Sequence, residues 1–320
     1  MKKIHFFITY FLVFFSPILL IMLSLELALR HIPNDYKNKM AILEQKSSQI
    51  DMLILGNSHT LHDINPEYLS DNTYNLAYSS QTLDLDYLIL EKYIKRMTSL
   101  KSIILPVSYF SLHKNLEDSE EKWRYKNYVL YLKVLRTFDL VKHSEVLSNS
   151  LRINIKRLLT YYIKKENPLI CNDKGFADNY EGQDKADFDV MAIQTAQSHE
   201  LGSVKTYRKN TRLMEKICQM TAEKGIRLIL IYPPADHRYF KALNADKALN
   251  NEKFINNLCE KYQHISYLDF SKDSRFTLED FYDVDHLNLQ GSEKLSRKIA
   301  EFTIKSTRTT KNTKNTKTKA

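Results

Sequence analysis

The stretch Asp51-Met-Leu-Ile-Leu-Gly-Asn-Ser-His-Thr60 sets an apolar run, a glycine and a polar cluster in immediate succession. Residues 52–55 have no helical period and read as a buried parallel strand. Gly56 stops the strand, and Asn57, Ser58, His59 and Thr60 open a helix behind a tight turn. Open α/β sheets bind their ligands at the carboxyl ends of the strands. A serine in that place stands above the sheet, near the positive end of the helix that follows. The same residues also read as a plain turn whose serine is only a helix cap. What separates the two readings lies far downstream.

That partner is Phe281-Tyr-Asp-Val-Asp-His-Leu-Asn-Leu-Gln-Gly291. Asp283 and His286 stand three residues apart, just before a helix that begins near Leu289. On a loop or first turn this spacing lays a carboxylate beside an imidazole. A serine hydroxyl needs a base within hydrogen-bond reach, and that base needs an orienting group. Ser58, His286 and Asp283 are the residues for those three roles. Taken alone, His286 also reads as a helix-start residue bonded to backbone. Asp280 and Asp285 have the wrong spacing and read as loop caps or solvated charge. His59 and His62 are close to Ser58, but no carboxylate-rich spacing makes them a metal site. No metal and no other cofactor is expected.

Gly56-Asn57-Ser58 near the first strand, with Asp283-x-x-His286 before the last helix, resembles the SGNH (GDSL-like) hydrolase superfamily. The Leu-x-x-Gly-Asn-Ser-His form, with His-Leu-Asn-x-x-Gly at the end, is similar to its membrane-anchored cell-envelope branch. That branch includes polysaccharide O-acetyltransferases and esterases and the teichoic-acid D-alanylation protein. The similarity covers residues 50–110 and 205–300. It implies a flavodoxin-like, three-layer α/β sandwich around a parallel sheet of about five strands, with Ser58 as nucleophile, His286 as base and Asp283 as orienter. Family members usually supply oxyanion donors from a Gly N–H after the second strand and an Asn side chain after the third. Here Asn75-Leu-Ala-Tyr-Ser-Ser80 has no Gly, and Pro106-Val-Ser-Tyr109 has no Asn. Asn57, Ala77, Ser79 and Ser108 are the remaining candidates for oxyanion or substrate contacts. Losing one such donor costs ~10²–10³ in rate.

Two functions follow. One is an acyl-ester hydrolase or O-acyltransferase, such as an O-acetyl esterase or O-acetyltransferase, whose partner is a cell-envelope glycan or acyl donor. The other is a non-catalytic binding partner of a multi-pass membrane acyltransferase.

Around the two motifs the chain changes character several times. Residues 31–49 read as a polar, helix-tolerant stalk. Residues 50–110 hold a first α/β half, with strands at 52–55, 73–77 and 101–107. Its helix face runs through Leu85, Leu88, Ile89 and Ile94. From 111 to 204 the pattern is helical and Tyr/Lys-rich, then irregular and polar. This is too long for a loop in a compact sheet domain and reads as an inserted helical subdomain or lid. Trp123, Tyr125, Tyr128 and Tyr131 in it read as core, not as a sugar platform. Residues 205–304 resume the alternation: a helix stopped by Gly225, a strand at 227–232, a helix near 251–261, a strand at 265–270 and a helix from about 290 to 303. Strands alternating with helices imply a parallel sheet covered on both faces.

The ends differ from the body. Residues 4–25 carry no Asp, Glu, Lys or Arg, and their length suits a bilayer. Residues 1–30 therefore read as a transmembrane signal anchor. A cleaved signal peptide has a shorter apolar region and a small-residue cut site, which Leu23-Ser-Leu-Glu-Leu-Ala-Leu29 fits poorly. Lys2 and Lys3 favour an inside amino terminus, while Arg30, Lys37 and Lys39 on the other flank oppose it. The resemblance implies a single-pass protein of the cytoplasmic membrane with its catalytic domain outside. The net charge of +9 is concentrated in the basic residues of 305–320 and in Lys2 and Lys3, and the body is near neutral. No basic groove with interleaved aromatics points to nucleic acid. The Lys/Thr/Asn tail from 305 has nothing to bury and reads as disordered. Cys171, Cys218 and Cys259 give no metal pattern.

Overall fold

Each apolar segment read as a strand forms one, and all five pair in parallel. The computed structural model describes residues 2–182, 187–200 and 202–317. In chain order the strands are β1 Met52–Ile54, β2 Thr73–Asn75, β3 Ser102–Pro106, β4 Arg227–Tyr232 and β5 Ile265–Asp269. The helices are α1 Lys2–His31, α2 Asp35–Lys46, α3 Ser58–Leu61, α4 Leu83–Tyr93, α5 Tyr125–Leu130, α6 Leu151–Leu158, α7 Phe188–His199, α8 Val204–Glu223, α9 His237–Ala242, α10 Ala245–Lys261 and α11 Leu289–Lys317. The chain forms two units: Met1–Met40 with Glu120–Leu169, and Ala41–Ser119 with Ile170–Ala320.

The second unit contains the sheet, in the order β2-β1-β3-β4-β5. Met52 pairs with Thr73 on one side and Ser102 on the other. The direction of strand addition reverses between β1 and β3, and such a reversal opens a crevice at the carboxyl ends. Side chains alternate across the sheet. Met52, Ile54, Ile104, Ile229 and Ile231 face one way and pack with Phe188, Ala192 and Ala196 of α7, Tyr239 of α9, and Leu295 and Ile299 of α11. Leu53, Ile103, Leu228 and Leu230 face the other way and are fully buried. There α8 lies on β4, and α4 packs against α8. Each such aliphatic side chain contributes roughly 1.5–3 kcal/mol by burial. The result is the expected three-layer α/β sandwich.

The first unit contains α1, α5 and α6. α1 is long and apolar enough to cross a membrane, with Pro17 inside it. The unit's polar centre is Glu145, buried against Lys126, Arg157 at 2.7 Å and the Tyr131 hydroxyl at 2.6 Å. Burial alone would raise its pKa, but the two cations overcome that and hold it below the ordinary carboxylate range.

Three boundaries fall elsewhere than the sequence pattern suggests. The stretch read as a stalk is α2, and Tyr36, Met40 and Leu43 on it are buried. Their spacing of four and then three residues is a helical face. Only residues 120–169 of the expected insertion leave the sheet unit, whereas α7 contributes Phe188, Ala192 and Ala196 to its core. The stretch read as a disordered tail continues α11 to Lys317. No Gly or Pro after Gly291 interrupts that helix. Residues 318–320 of the tail lie outside the described residues.

Candidate active site

The turn after β1 is built around one glycine. Gly56 has φ +110, and a Cβ there would lie 2.2 Å from Pro106 Cγ and 2.3 Å from Cδ. Only a residue without a side chain lets the end of β1 pass the proline that ends β3. Asn57 then caps α3, its Oδ1 accepting the His59 N–H at 3.0 Å. Ser58 is the first residue of α3 and is half-buried.

The second component is the loop between β5 and α11. Phe281 and Leu287 pair across it, and Tyr282 N–H donates to the His286 carbonyl at 2.9 Å. Asp283 Oδ1 accepts the backbone N–H groups of Asp285 (3.0 Å) and His286 (2.8 Å). This holds the carboxylate under the imidazole of its own loop. Both Asp283 oxygens lie 3.0 Å from His286 Nδ1, and His286 Nε2 lies 2.8 Å from Ser58 Oγ. Ser58, His286 and Asp283, the three residues expected for nucleophile, base and orienter, are therefore in one hydrogen-bonded line. Asp63 ties this loop to the chain after α3, accepting the Leu287 N–H at 2.9 Å. Burial pushes the Asp63 carboxyl well above its ordinary range, so it is neutral there.

Asp285, read as a cap or solvated charge, is instead buried at the centre of the site. Its Oδ1 is 3.3 Å from His286 Nδ1, and its Oδ2 accepts from His59 Nε2 at 3.1 Å. His59 Nδ1 in turn meets the Ser108 hydroxyl at 2.7 Å. Burial lowers the His59 pKa against the pull of Asp285. His59 is thus neutral, with Nε2–H donating to the carboxylate and Nδ1 accepting from Ser108. His199 of α7 lies 4.0 Å from Asp285 Oδ2, and its Nδ1 is 2.8 Å from the Tyr239 hydroxyl. Burial pushes it down to about 3. Burial also works against a charged His286, but Asp283 and then Asp285 outweigh it and hold the imidazolium well above the ordinary 6.5. His59, Asp285 and His286 are close enough to share a cation, yet both Asp285 oxygens already meet imidazole nitrogens.

The expected oxyanion contacts separate on inspection. The Ala77 N–H is bonded to Asn75 Oδ1 at 3.0 Å, and the Ser108 hydroxyl is committed to His59. Neither is free to receive a negative oxygen, which corrects both assignments. Asn75 had no role in the sequence reading, and its side chain also donates to the Thr60 carbonyl at 2.7 Å. Asn57 uses its oxygen on the α3 cap. Tyr78 N–H donates to the Gly56 carbonyl at 3.1 Å, which pins the turn after β2 beside the Ser58 turn. Ser79 sits in that turn, half-exposed, and Ser80 takes its left-handed position with φ 58. Among the described residues, the amides of Ser58 and Ser79 donate to no acceptor.

A stack of rings borders the site. His62, Tyr180 and Tyr282 lie nearly parallel, with centroids 3.8 and 3.9 Å apart, and His286 meets Tyr180 edge-on at 5.7 Å. Tyr180 and His199 come from the region read as a lid, where no motif signals them.

No family model and no curated protein matches this chain. Among solved structures it is similar to a protein of Streptococcus pneumonia provisionally described as a platelet activating factor. The identity is 11%, 91% of this chain and 98% of that one are covered, and the TM-score is 0.42. The class is therefore defined by this chain's own fold and geometry. It is a doubly wound parallel α/β protein with a serine–histidine–aspartate line at the carboxyl ends of its strands.

Proposed function

We propose that this protein is a membrane-anchored serine acyl-ester enzyme of SGNH type, a hydrolase or O-acyltransferase acting on a cell-envelope glycan from the outer side of the cytoplasmic membrane. The observation that carries the reading is the unbroken Ser58–His286–Asp283 line, with Nε2 2.8 Å from Oγ. Ser58 Oγ attacks the acyl carbonyl as His286 Nε2 takes its proton. Asp283 holds Nδ1–H and balances the imidazolium. The Ser58 and Ser79 amides, which donate to no other group among the described residues, are the candidates to receive the carbonyl oxygen as it becomes negative. His286 then protonates the leaving alkoxide, and an acyl-serine remains. Water or a glycan hydroxyl, deprotonated by the same nitrogen, displaces the acyl group and restores Ser58. No metal or cofactor takes part in these steps.

The loss of Ala77 and Ser108 as donors favours a second reading, a binding partner of a multi-pass acyltransferase that holds glycan or acyl carrier without turning it over. One experiment separates the two. The full chain in detergent is treated with a fluorophosphonate probe and assayed for acetate release from acetylated glycan. The enzyme reading expects labelling and turnover in the wild type and loss of both in Ser58→Ala. Turnover that survives in Ser58→Ala removes the nucleophile assignment. A wild type that binds glycan but neither labels nor turns over is the binding protein.

A further inference from the structure

Residues 4–25 of α1 carry no Asp, Glu, Lys or Arg. At 1.5 Å per residue they extend for about 33 Å, matching a hydrocarbon core of about 30 Å. Glu26 therefore marks the level at which the helix leaves the acyl chains. Its carboxylate accepts the Ser144 hydroxyl at 2.7 Å and the N–H groups of Glu145 and Val146, each at 3.0 Å. Arg30 Nη2 donates to the His143 carbonyl at 2.7 Å, and the Tyr162 hydroxyl donates to the Ala28 carbonyl at 3.0 Å. Segment 138–163 is thus tied near both ends to the stretch of α1 between Glu26 and Arg30.

The outward side of that segment is apolar. Leu151, Ile155 and Leu159 recur every fourth residue along α6 and the π-turn Leu159–Ile163, and Ile163 follows. They are 66%, 46%, 50% and 72% exposed, and Phe138 in the same segment is fully exposed. Exposed Arg152 and Lys156 lie next in turn around the helix. An apolar row facing outward beside cations does not suit a helix that meets only water. It does suit one lying at the surface of an anionic bilayer.

We propose that residues 138–163 lie in the interfacial layer of the membrane that α1 crosses. The apolar row sits among the acyl chains, and Arg152 and Lys156 reach the lipid phosphates. The proposal rests on α1 as a membrane span and is independent of the chemistry at Ser58. Its occupant is phospholipid. The hydrogen bonds to Glu26, Arg30 and Ala28 fix the depth of the segment, and the flanking cations match anionic headgroups.

Trp123 is the only tryptophan in the chain, which makes fluorescence a direct test. The full chain carrying Trp123→Phe and Ile155→Trp is reconstituted into phosphatidylcholine/phosphatidylglycerol vesicles, with and without bromine on the acyl chains. A parallel protein carries Trp123→Phe and Leu20→Trp within α1. Both tryptophans are expected to lose at least half of their emission in brominated vesicles, and Leu151→Trp should repeat the result from the same row. Quenching at position 20 with water-like, unquenched emission at 151 and 155 overturns the proposal and leaves this face to a protein partner. Loss of quenching at position 20 as well removes the span itself, and the proposal with it.

Discussion

Asp285 places a second carboxylate on the imidazole that faces Ser58. Only neutral imidazole can accept the serine proton. Because Asp283 and Asp285 hold His286 well above 6.5, the proposed enzyme should show an acid limb above that pH, with rate lost as pH falls through it. Asp285→Asn removes one of the two stabilising charges. Its acid limb should move to lower pH, with plateau activity reduced by less than about tenfold, whereas Asp283→Asn should cost up to on the order of 10⁴. The check is kcat/KM against pH for the three proteins. An acid limb that stays in place in Asp285→Asn would remove Asp285 from the electrostatics of the base. The Ser58–His286–Asp283 line was legible because its members sit in short, punctuated motifs: a glycine stop before Ser58, and three-residue spacing before a helix. Asp285 was not, since Asp283 and Asp285 both stand just before His286 and spacing alone does not show that Asp285 is buried against the same imidazole. His59 was visible but unassigned, because its partner Ser108 is fixed only by the pairing of β1 with β3.

At the scale of elements, the turn that carries Ser58 is wired to α4. Gly56 N–H and Gln81 Nε2 both donate to Asp86 Oδ1, at 2.9 and 2.6 Å. Burial pushes Asp86 from 3.8 up to about 7, against these two hydrogen bonds. A carboxyl whose folded pKa is raised contributes most below its unfolded pKa. That contribution falls as pH climbs from about 4 to about 7, a difference on the order of 4 kcal/mol. Asp86→Asn keeps the accepting oxygen and cannot ionise. Its melting temperature relative to wild type should therefore rise by several degrees between pH 5 and pH 8. An equal difference at the two pH values would mean that Asp86 is not held neutral in the fold. β1, β3 and β4 were the most legible elements, because runs of buried apolar residues admit few alternatives. Helices were less so. The face of α2 through Tyr36, Met40 and Leu43 is diluted by lysines, and α11 passes the last apolar position without a stop signal.

At the scale of the molecule, the region between β3 and α8 is divided. Residues 120–169 belong with α1, whereas 170–200 complete the sheet unit and supply Tyr180 and His199 to the site. Joining Ala41–Ser119 to Ile170–Ala320 through a short Gly/Ser linker should leave a cooperatively melting α/β body that still reacts with fluorophosphonate. Deleting 111–204 should not, because it strips Phe188, Ala192 and Ala196 from the core, and core truncations of this kind cost several kcal/mol each for the large side chains. Circular dichroism melts of the two proteins decide between them. The sequence pattern marked a break in the alternation but not its true edges. α7's small core residues, Ala192 and Ala196, look no different from surface alanines until the sheet is in place.

If α1 spans a membrane as proposed, the bonds from Glu26 to residues 144–146 also bear on how the protein could be released from it. A protease that severed the anchor after Ala28 would carry away the acceptor of two backbone N–H groups and a hydroxyl. Each stranded donor costs about 1–3 kcal/mol where water cannot replace the lost partner. For a cut at that position, shedding and damage to the first unit are one event, whereas a cut before Glu26 leaves these bonds in place. A shortened version that keeps these bonds has to retain Glu26, so its first residue lies at or before the point where the apolar run of α1 ends.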